Sequence, residues 1–482
     1  MTRNNHALSL RRAKGALLRA AGIAVMGAAA LLAVSPAWAA GSTAASGGAA
    51  GAANALSKSA APRPLPGDLP LDRFPDSASI RAWLYADVLA GPRDSVLARK
   101  PAVYSNEYGN FRVSTEKSAD AFYVILAPAK GGDFPVWAQG SWIIKRSLAD
   151  GRFLQAKVFL RSDPGTFLRI FPNGDRSLMD VVVYGAVLNT DVPLPVNFDQ
   201  ALGSSMASIV QWSRSIVGWD LFSPHPGDYD DLLAFSAAVR SRLPGLRFAD
   251  DGGLDTAGRP VLIATGAPQG PKPGLNCSGF AQWVIDGLLA PLGLPLLDPG
   301  AMAEKHPELR GARLDAAIEA RYEPYFGLDW TRNLGRAWAD ALGPSRSHAI
   351  DENDVRISPF AYFSPGGDAR NGGPPYDVYP AYDRDSGYPI RGLKAMLYVL
   401  AMRDPGAAYL ASLSRLNRSG LRRHYHVALL LPYFDRDGQF KVDVFESAAE
   451  TSLGAVLART TGDYFHLVRI EPSRDFDPPR LP

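Results

Sequence analysis

The chain contains a single cysteine, Cys277, and the residues around it place it at the beginning of a helix. The Gly- and Pro-rich stretch PQGPKPGLN precedes it, and apolar residues follow at helical spacing in CSGFAQWVIDGLL. One cysteine cannot form an internal disulfide. The composition is that of an ordinary globular protein, since 46% of the 482 residues are hydrophobic and 21% are charged. Collagen-like, coiled-coil and wholly disordered structures are therefore excluded.

A thiol in the first turn of a helix has a distinctive electrostatic environment. It faces unpaired N–H groups and the positive end of the helix dipole, which stabilise the thiolate and lower the pKa of the cysteine. The same N–H groups can bind the oxyanion of a tetrahedral intermediate. The position of Cys277 thus predicts a nucleophile beside an oxyanion hole, and the alternative is a small buried apolar side chain.

The first 39 residues have the pattern of a cleavable export signal. Basic residues up to Arg19 are followed by the apolar run AAGIAVMGAAALLAV and by the small-x-small cleavage pattern Ala37-Trp38-Ala39. The run is shorter than the roughly 20 residues that a membrane span needs, so a membrane anchor is the less favoured alternative. We expect cleavage after Ala39, a periplasmic or secreted protein, and no stable membrane insertion after cleavage.

The charge balance argues against a nucleic-acid partner. The formal net charge of +3 includes five basic residues of the export segment, which has no acidic residue. The remaining chain therefore has 46 basic and 48 acidic residues, a balance of −2. A nearly neutral chain without a basic run lacks the electrostatic surface that nucleic acids or anionic lipids require.

The composition changes along the chain and predicts four segments. Residues 1–39 form the signal peptide, and residues 40–66, rich in Ala, Gly, Ser and Pro, form a disordered linker. Residues 67–198 form a β-rich domain with strand patterns in FYVILA, SWIIKR, FLQAKVFL, FLRIF and MDVVVYGAVL. Residues 199–482 form a second domain with an insertion at about 297–400. The aromatic-rich part of that insertion is predicted to be a surface loop or a lid.

A thiol nucleophile also needs an imidazole to form an ion pair and to protonate the leaving group. His424 and His426 open the apolar strand HYHVALLLPYF, which the turn DRDG connects to a second strand, KVDVFES. Strand alternation predicts both histidines on one face. A histidine here is either the general base or a structural residue at the strand edge, and its position after a helix-start cysteine favours the base.

Two sequence elements resemble a known family. Asn276-Cys277-Ser278-Gly279-Phe280 resembles the Cys-Ser-Gly element of the NlpC-type cell-wall peptidases, a papain-like family, and His426-Val427-Ala428-Leu429 resembles the His strand of that family. The resemblance implies an α+β fold: a papain-like (NlpC-type) domain with a helix-start Cys and with the His on an antiparallel sheet, preceded by the β-rich domain.

The resemblance also implies the roles of three residues. Cys277 is the nucleophile, and His426, rather than His424, is the base because Val-Ala-Leu follows it. The third residue, which orients the imidazole on the next strand, falls on Glu446 in Val444-Phe445-Glu446-Ser447. Asp443 and Ser447 are less favoured, because strand alternation points them away from the face of Glu446.

We therefore expect an exported thiol hydrolase that cleaves amide bonds, with peptidoglycan or another peptide as its substrate. A thiol acyltransferase on the same scaffold and a non-catalytic wall-binding module remain open as alternatives. No cofactor is expected.

No metal site is predicted. His424 and His426 have no acidic third ligand nearby in the sequence. The segments DRDSG at 383–387 and DRDG at 435–438 resemble pieces of calcium loops but lack the closing Glu, so we interpret both as turns.

Overall fold

Eight consecutive strands between residues 102 and 194 pair in chain order into one antiparallel sheet. The computed structural model describes residues 67–310, 326–343, 349–356, 362–363 and 381–481, so the predicted signal peptide and linker lie outside the described residues. Two α-helices precede the sheet, α1 (Ala78–Trp83) and α2 (Arg93–Leu97). The strands are β1 (Ala102–Asn106), β2 (Gly109–Lys117), β3 (Ala121–Pro128), β4 (Trp142–Ser147), β5 (Phe153–Phe159), β6 (Thr166–Asn173), β7 (Arg176–Val183) and β8 (Ala186–Leu194).

The segment MDVVVYGAVL, predicted as one strand, is divided between two strands. Tyr184 and Gly185 have positive φ angles of 47° and 84° and form the tight turn between β7 and β8. A two-residue turn of this kind matches the twist of antiparallel strands, and glycine adopts it without steric strain. The apolar run concealed this turn because Tyr184 is an unusual turn residue.

Helices predominate in the chain that follows. At Ser204 an extended backbone separates two short helices. The elements are α3 (Phe198–Gly203), α4 (Met206–Ser213), α5 (Asp230–Arg242), β9 (Gly252–Leu254), β10 (Pro260–Leu262), α6 (Cys277–Leu289), α7 (Pro299–Met302) and α8 (Phe326–Ala341). The two short strands β9 and β10 form a hairpin that contacts α6.

A second antiparallel sheet is formed by the C-terminal part of the chain. The elements of this part are β11 (Tyr362–Phe363), β12 (Tyr388–Pro389), α9 (Leu393–Arg403), β13 (Ala408–Leu416), β14 (Arg422–Phe434), β15 (Phe440–Glu446), β16 (Ala449–Ser452), α10 (Leu453–Arg459) and β17 (Tyr464–Ile470). The strand order of the second sheet is β12-β17-β13-β14-β15-β16, while β11 pairs with β8 of the first sheet. The described residues thus form a mixed α and β structure, as expected.

The two large sheets share one hydrophobic core. Tyr398 of α9 lies at their junction, because its ring contacts Tyr184 of the first sheet and Phe440 of the second. Its hydroxyl donates to the carbonyl oxygen of Leu221 at 2.9 Å. All described residues belong to one compact unit. The domain boundary at residue 198 stays a prediction. Within the described ranges, we find no helix with the length and apolar character of a membrane span.

The helix that begins at Cys277 contains a buried carboxyl group, Asp286. One carboxyl oxygen accepts from the N–H of Leu297 at 2.8 Å. The other has no partner among the described residues, and the same holds for Oε1 of Gln282, one turn earlier. The Gln282 amide nitrogen already donates to the carbonyl oxygens of Leu254 and Leu297. A proton on Asp286 satisfies both oxygens, because a protonated carboxyl can donate to Oε1.

We expect Asp286→Asn to stabilise the protein above pH 7. Burial raises the pKa of Asp286 to about 7, against the opposing hydrogen bond from the N–H of Leu297. In the unfolded chain the group ionises near pH 4, so the folded state loses stability as the pH rises from 4 to 7. Asparagine cannot ionise and can donate to Gln282. The expected gain in the free energy of unfolding at pH 8 is about 2 to 4 kcal/mol.

Urea unfolding at pH 5 and pH 8 measures this effect, with the exposed Glu107→Gln as the control variant. The advantage of Asp286→Asn should grow from pH 5 to pH 8. An advantage that is the same at both pH values would show that Asp286 is not held protonated.

Candidate active site

Cys277 is the first residue of α6, as the sequence predicted. Asn276 caps the helix, since its side-chain oxygen accepts from the N–H of Gly279 at 2.8 Å. The first turn packs directly against β9. A Cβ atom on Gly279 would lie 2.0 Å from the carbonyl oxygen of Gly252, so only glycine permits this approach. The hairpin β9–β10 and the Asn276 cap together fix the position of Cys277, whose side chain remains partly exposed.

His426 lies on β14, beside a β-bulge that changes the strand alternation. His426 pairs with Leu413, whereas His424 pairs with Ser414, the next residue of β13. Adjacent residues of a strand point to opposite faces, so the two histidines also lie on opposite faces. The expectation that both share one face is wrong, because Tyr425 is the extra residue of the bulge.

His424 is a structural residue. Its side chain is buried and contacts Ser412 Oγ at 2.7 Å through Nδ1 and the carbonyl oxygen of Asp385 at 2.8 Å through Nε2. Burial lowers the pKa of His424 to about 3, so the ring is neutral at physiological pH. Of the two candidate histidines, the structure brings His426 to Cys277.

Glu446 ends β15 next to the imidazole of His426. Its Oε2 lies 2.6 Å from His426 Nε2, which leaves Nδ1 as the ring nitrogen for the thiol. The same carboxyl oxygen accepts from the guanidinium of Arg459, the last residue of α10. The structure thus brings together the three residues singled out in the sequence, Cys277, His426 and Glu446.

Hydrogen bonds and charges in this group favour the ionised forms. Burial opposes ionisation of the Cys277 thiol, but the hydrogen bond and charge of His426 outweigh it and lower the pKa of Cys277. The N–H of Val427 contributes in the same direction. Burial also opposes the charged imidazole, yet Cys277 and Glu446 raise the pKa of His426 to about 9. The arrangement therefore stabilises a thiolate–imidazolium pair.

Glu446 is held as a carboxylate. Burial raises its pKa, but the hydrogen bonds and positive charges of His426 and Arg459 have the larger effect and lower the pKa of Glu446 to about 2. A carboxylate bound to Nε2 fixes the orientation of the imidazole and stabilises its charged form.

Asp443 and Ser447, the less favoured candidates for the residue that orients the imidazole, lie at other positions. Asp443 binds Ser236 and Arg240 of α5, on the side of β15 away from the thiol. Ser447 has a positive φ of 49° in the turn between β15 and β16. Strand alternation thus distinguishes Glu446 from Asp443, whereas Ser447 lies beyond the end of β15.

The two segments that resemble calcium loops form turns, as expected. The side chain of Asp383 accepts from the N–H of Asp385, and the side chain of Asp435 accepts from the N–H groups of Asp437 and Gln439. No group of three or more His, Cys, Asp and Glu side chains in the described part of the chain could hold a metal ion.

A second polar cluster lies in the interior, and no sequence motif marks it. Asp354 accepts from Arg332 at 2.9 Å and from Tyr382 at 2.7 Å, and it lies 3.2 Å from His466. Arg332, Asp354 and His466 are buried, which makes this cluster a structural network. Its side chains come from distant segments of the chain and meet only in the fold.

Arg459 is the residue of the site that sequence reasoning missed. It follows Glu446 by 13 positions, and it reaches the carboxylate because β16 and α10 turn back towards the end of β15. No motif marks it. The one available signal is a basic residue in the last turn of a helix, and such residues are common in helices of any function.

In comparisons with known proteins, the part of the chain that matches contains the first sheet. A family model described as a domain of unknown function (DUF8515) matches residues 70–221, a stretch that contains β1 to β8 and ends before Cys277. Searches of the curated proteins and of the solved structures found no significant match.

Proposed function

We propose that the protein is a thiol hydrolase of the NlpC type that cleaves amide bonds, with peptides of the cell wall as its substrate class. The observation that carries this proposal is the group formed by Cys277, His426 and Glu446. It combines a thiol at a helix N-terminus, an imidazole that hydrogen-bonds to it, and a carboxylate that orients the imidazole. These are the three roles that nucleophilic catalysis by cysteine requires.

The order of the elements supports a papain-like arrangement in the second half of the chain. The cysteine helix α6 comes first, and the strands that carry His426 and Glu446 follow in an antiparallel sheet. α6 contacts both β14 and β15, which carry the histidine and the glutamate. The assignment to the NlpC type rests on this order together with the Asn-Cys-Ser-Gly-Phe and His-Val-Ala-Leu elements.

The proposed reaction begins with attack of the Cys277 thiolate on the carbonyl carbon of the amide. The oxygen of the tetrahedral intermediate binds N–H groups of the first turn of α6, where Cys277 and Ser278 have no acceptor within the helix. The imidazolium of His426 gives its proton to the amide nitrogen, the C–N bond breaks, and a thioester remains. Water then attacks the thioester with His426 as base, which releases the acid and restores the thiol.

Incubation with purified peptidoglycan, followed by mass analysis of the soluble products, tests the proposal. We expect peptides that the Cys277→Ala variant does not release. A reaction with an added primary amine distinguishes a hydrolase from an acyltransferase. A hydrolase yields free acids, whereas an acyltransferase yields products that carry the amine. Release that is equal for the wild type and Cys277→Ala would contradict the assignment.

Export is part of the proposal. It is supported by the pattern of residues 1–39, which ends in Ala37-Trp38-Ala39. In this account the protein acts in the periplasm or outside the cell, where peptidoglycan is accessible. N-terminal sequencing of the mature protein tests it, and we expect Ala40 as the first residue.

A further inference from the structure

The guanidinium of Arg459 and the imidazole of His426 bind the same carboxyl oxygen of Glu446. We propose that Arg459 is a positioning residue, which shares Oε2 of Glu446 with His426 and limits how strongly that carboxylate favours the charged imidazole. The inference rests on the proposed function, since it concerns the same site.

The geometry gives Arg459 two effects of the same sign. Its hydrogen bond to Oε2 withdraws charge from the oxygen that faces His426 Nε2, so the carboxylate becomes a weaker acceptor for the ring. Its positive charge, next to that oxygen, also opposes a second positive charge on the imidazole. Both effects keep His426 less basic than a lone carboxylate would make it. They bring the imidazolium closer to the acidity that protonation of a leaving group requires near neutral pH.

The side chain of Arg459 is 45% exposed, whereas that of Glu446 is 11% exposed. Solvent therefore screens the charge of Arg459 in part, and we expect a moderate effect. The carboxylate keeps its place between β15 and β14 without Arg459, because it ends a paired strand and remains bonded to His426.

Several other charged groups near β14 are paired away from His426. Cys277 of α6 and Glu446 of β15 act directly on the His426 ring. A number of the charged residues in the elements packed around β14 form pairs among themselves. These pairs are Asp443 with Arg240, Arg415 with Asp463, Asp329 with Arg310, Asp354 with Arg332, and Asp231 with Arg474, while Lys394 lies over the ring of Tyr184.

Titration of His426 by NMR measures this effect without any substrate. The full chain is labelled with ¹³C-histidine in a Cys277→Ala background, which removes the coupling to the thiol, and the His426 signal is assigned by its loss in His426→Ala. We expect Arg459→Ala to raise the apparent pKa of His426 by about 0.5 to 1 unit. Arg459→Lys keeps the charge and should stay close to the wild type. Arg436→Ala, an exposed arginine in the β14–β15 turn, is the control.

A Glu446→Gln background shows whether Arg459 acts through the carboxylate. There the change caused by Arg459→Ala should fall to less than half. An unchanged or lowered His426 pKa in Arg459→Ala, or an equal change in both backgrounds, would overturn the inference. Neither result concerns amide cleavage, so the proposed function fails separately, by the absence of Cys277-dependent products.

Discussion

His426→Ala is expected to lower the Cys277-dependent release of peptides at least about 10³-fold, whereas His424→Ala should keep most of the activity per folded molecule. The reason lies in the β-bulge at Tyr425, which puts the two histidines on opposite faces of β14. His426 contacts the thiol and Glu446. His424 contacts Ser412 and the backbone of Asp385 in the interior. Initial rates at saturating peptidoglycan measure the difference.

His424→Ala should instead affect stability. Loss of a buried ring with two hydrogen bonds is expected to lower the free energy of unfolding by about 2 to 4 kcal/mol. Activities must therefore be compared below the unfolding transition of this variant, which circular dichroism locates. A folded His424→Ala protein without activity, beside an active His426→Ala protein, would contradict the assignment of the base.

Glu446→Gln is expected to lower kcat by about 10- to 10³-fold with little change of the fold. Glutamine keeps the shape of the side chain and can still accept from His426 Nε2, but it lacks the charge that stabilises the imidazolium. The effect should be smaller than the roughly 10⁴-fold loss that an Asp-to-Asn exchange causes in the triad of a serine protease, because a thiolate depends less on its orienting group.

Glu450→Gln is the matched control for this prediction. Glu450 lies on the neighbouring strand β16 and is paired with Arg240, away from the imidazole. Its replacement should leave kcat within about twofold of the wild type, as is usual for surface positions away from a site. If Glu446→Gln also kept the wild-type rate, Cys277 and His426 would act as a dyad.

The helix start at Cys277 and the strands around His426 and Glu446 could be predicted because local signals determine them. Gly and Pro before Cys277 and helical spacing after it fix the first residue of α6. The alternation in Val444-Phe445-Glu446 places Glu446 on the face of His426, and Asp443 on the other. Hydrophobic periodicity and turn-forming residues act over a few neighbouring positions, so they can be recognised directly in the sequence.

Two of the features that the sequence did not reveal depend on distant parts of the chain. The bulge at Tyr425 is a property of the pairing between β13 and β14, and a single strand shows no sign of it. Arg459 reaches Glu446 through the path of β16 and α10. Both require knowledge of which strands are neighbours. The turn at Tyr184 has a local reason, since it lies within an apolar run that has the pattern of one strand.

The pH dependence of alkylation at Cys277 tests the central claim most directly. Because Cys277 is the only cysteine, iodoacetamide labels one site, and the labelling rate follows its thiolate. We expect rapid labelling of the folded protein well below the pKa of about 8.5 of a free thiol, and a midpoint that moves upward in His426→Ala. Labelling that requires unfolding, or a midpoint near that of a free thiol in both proteins, would contradict the Cys277–His426 pair.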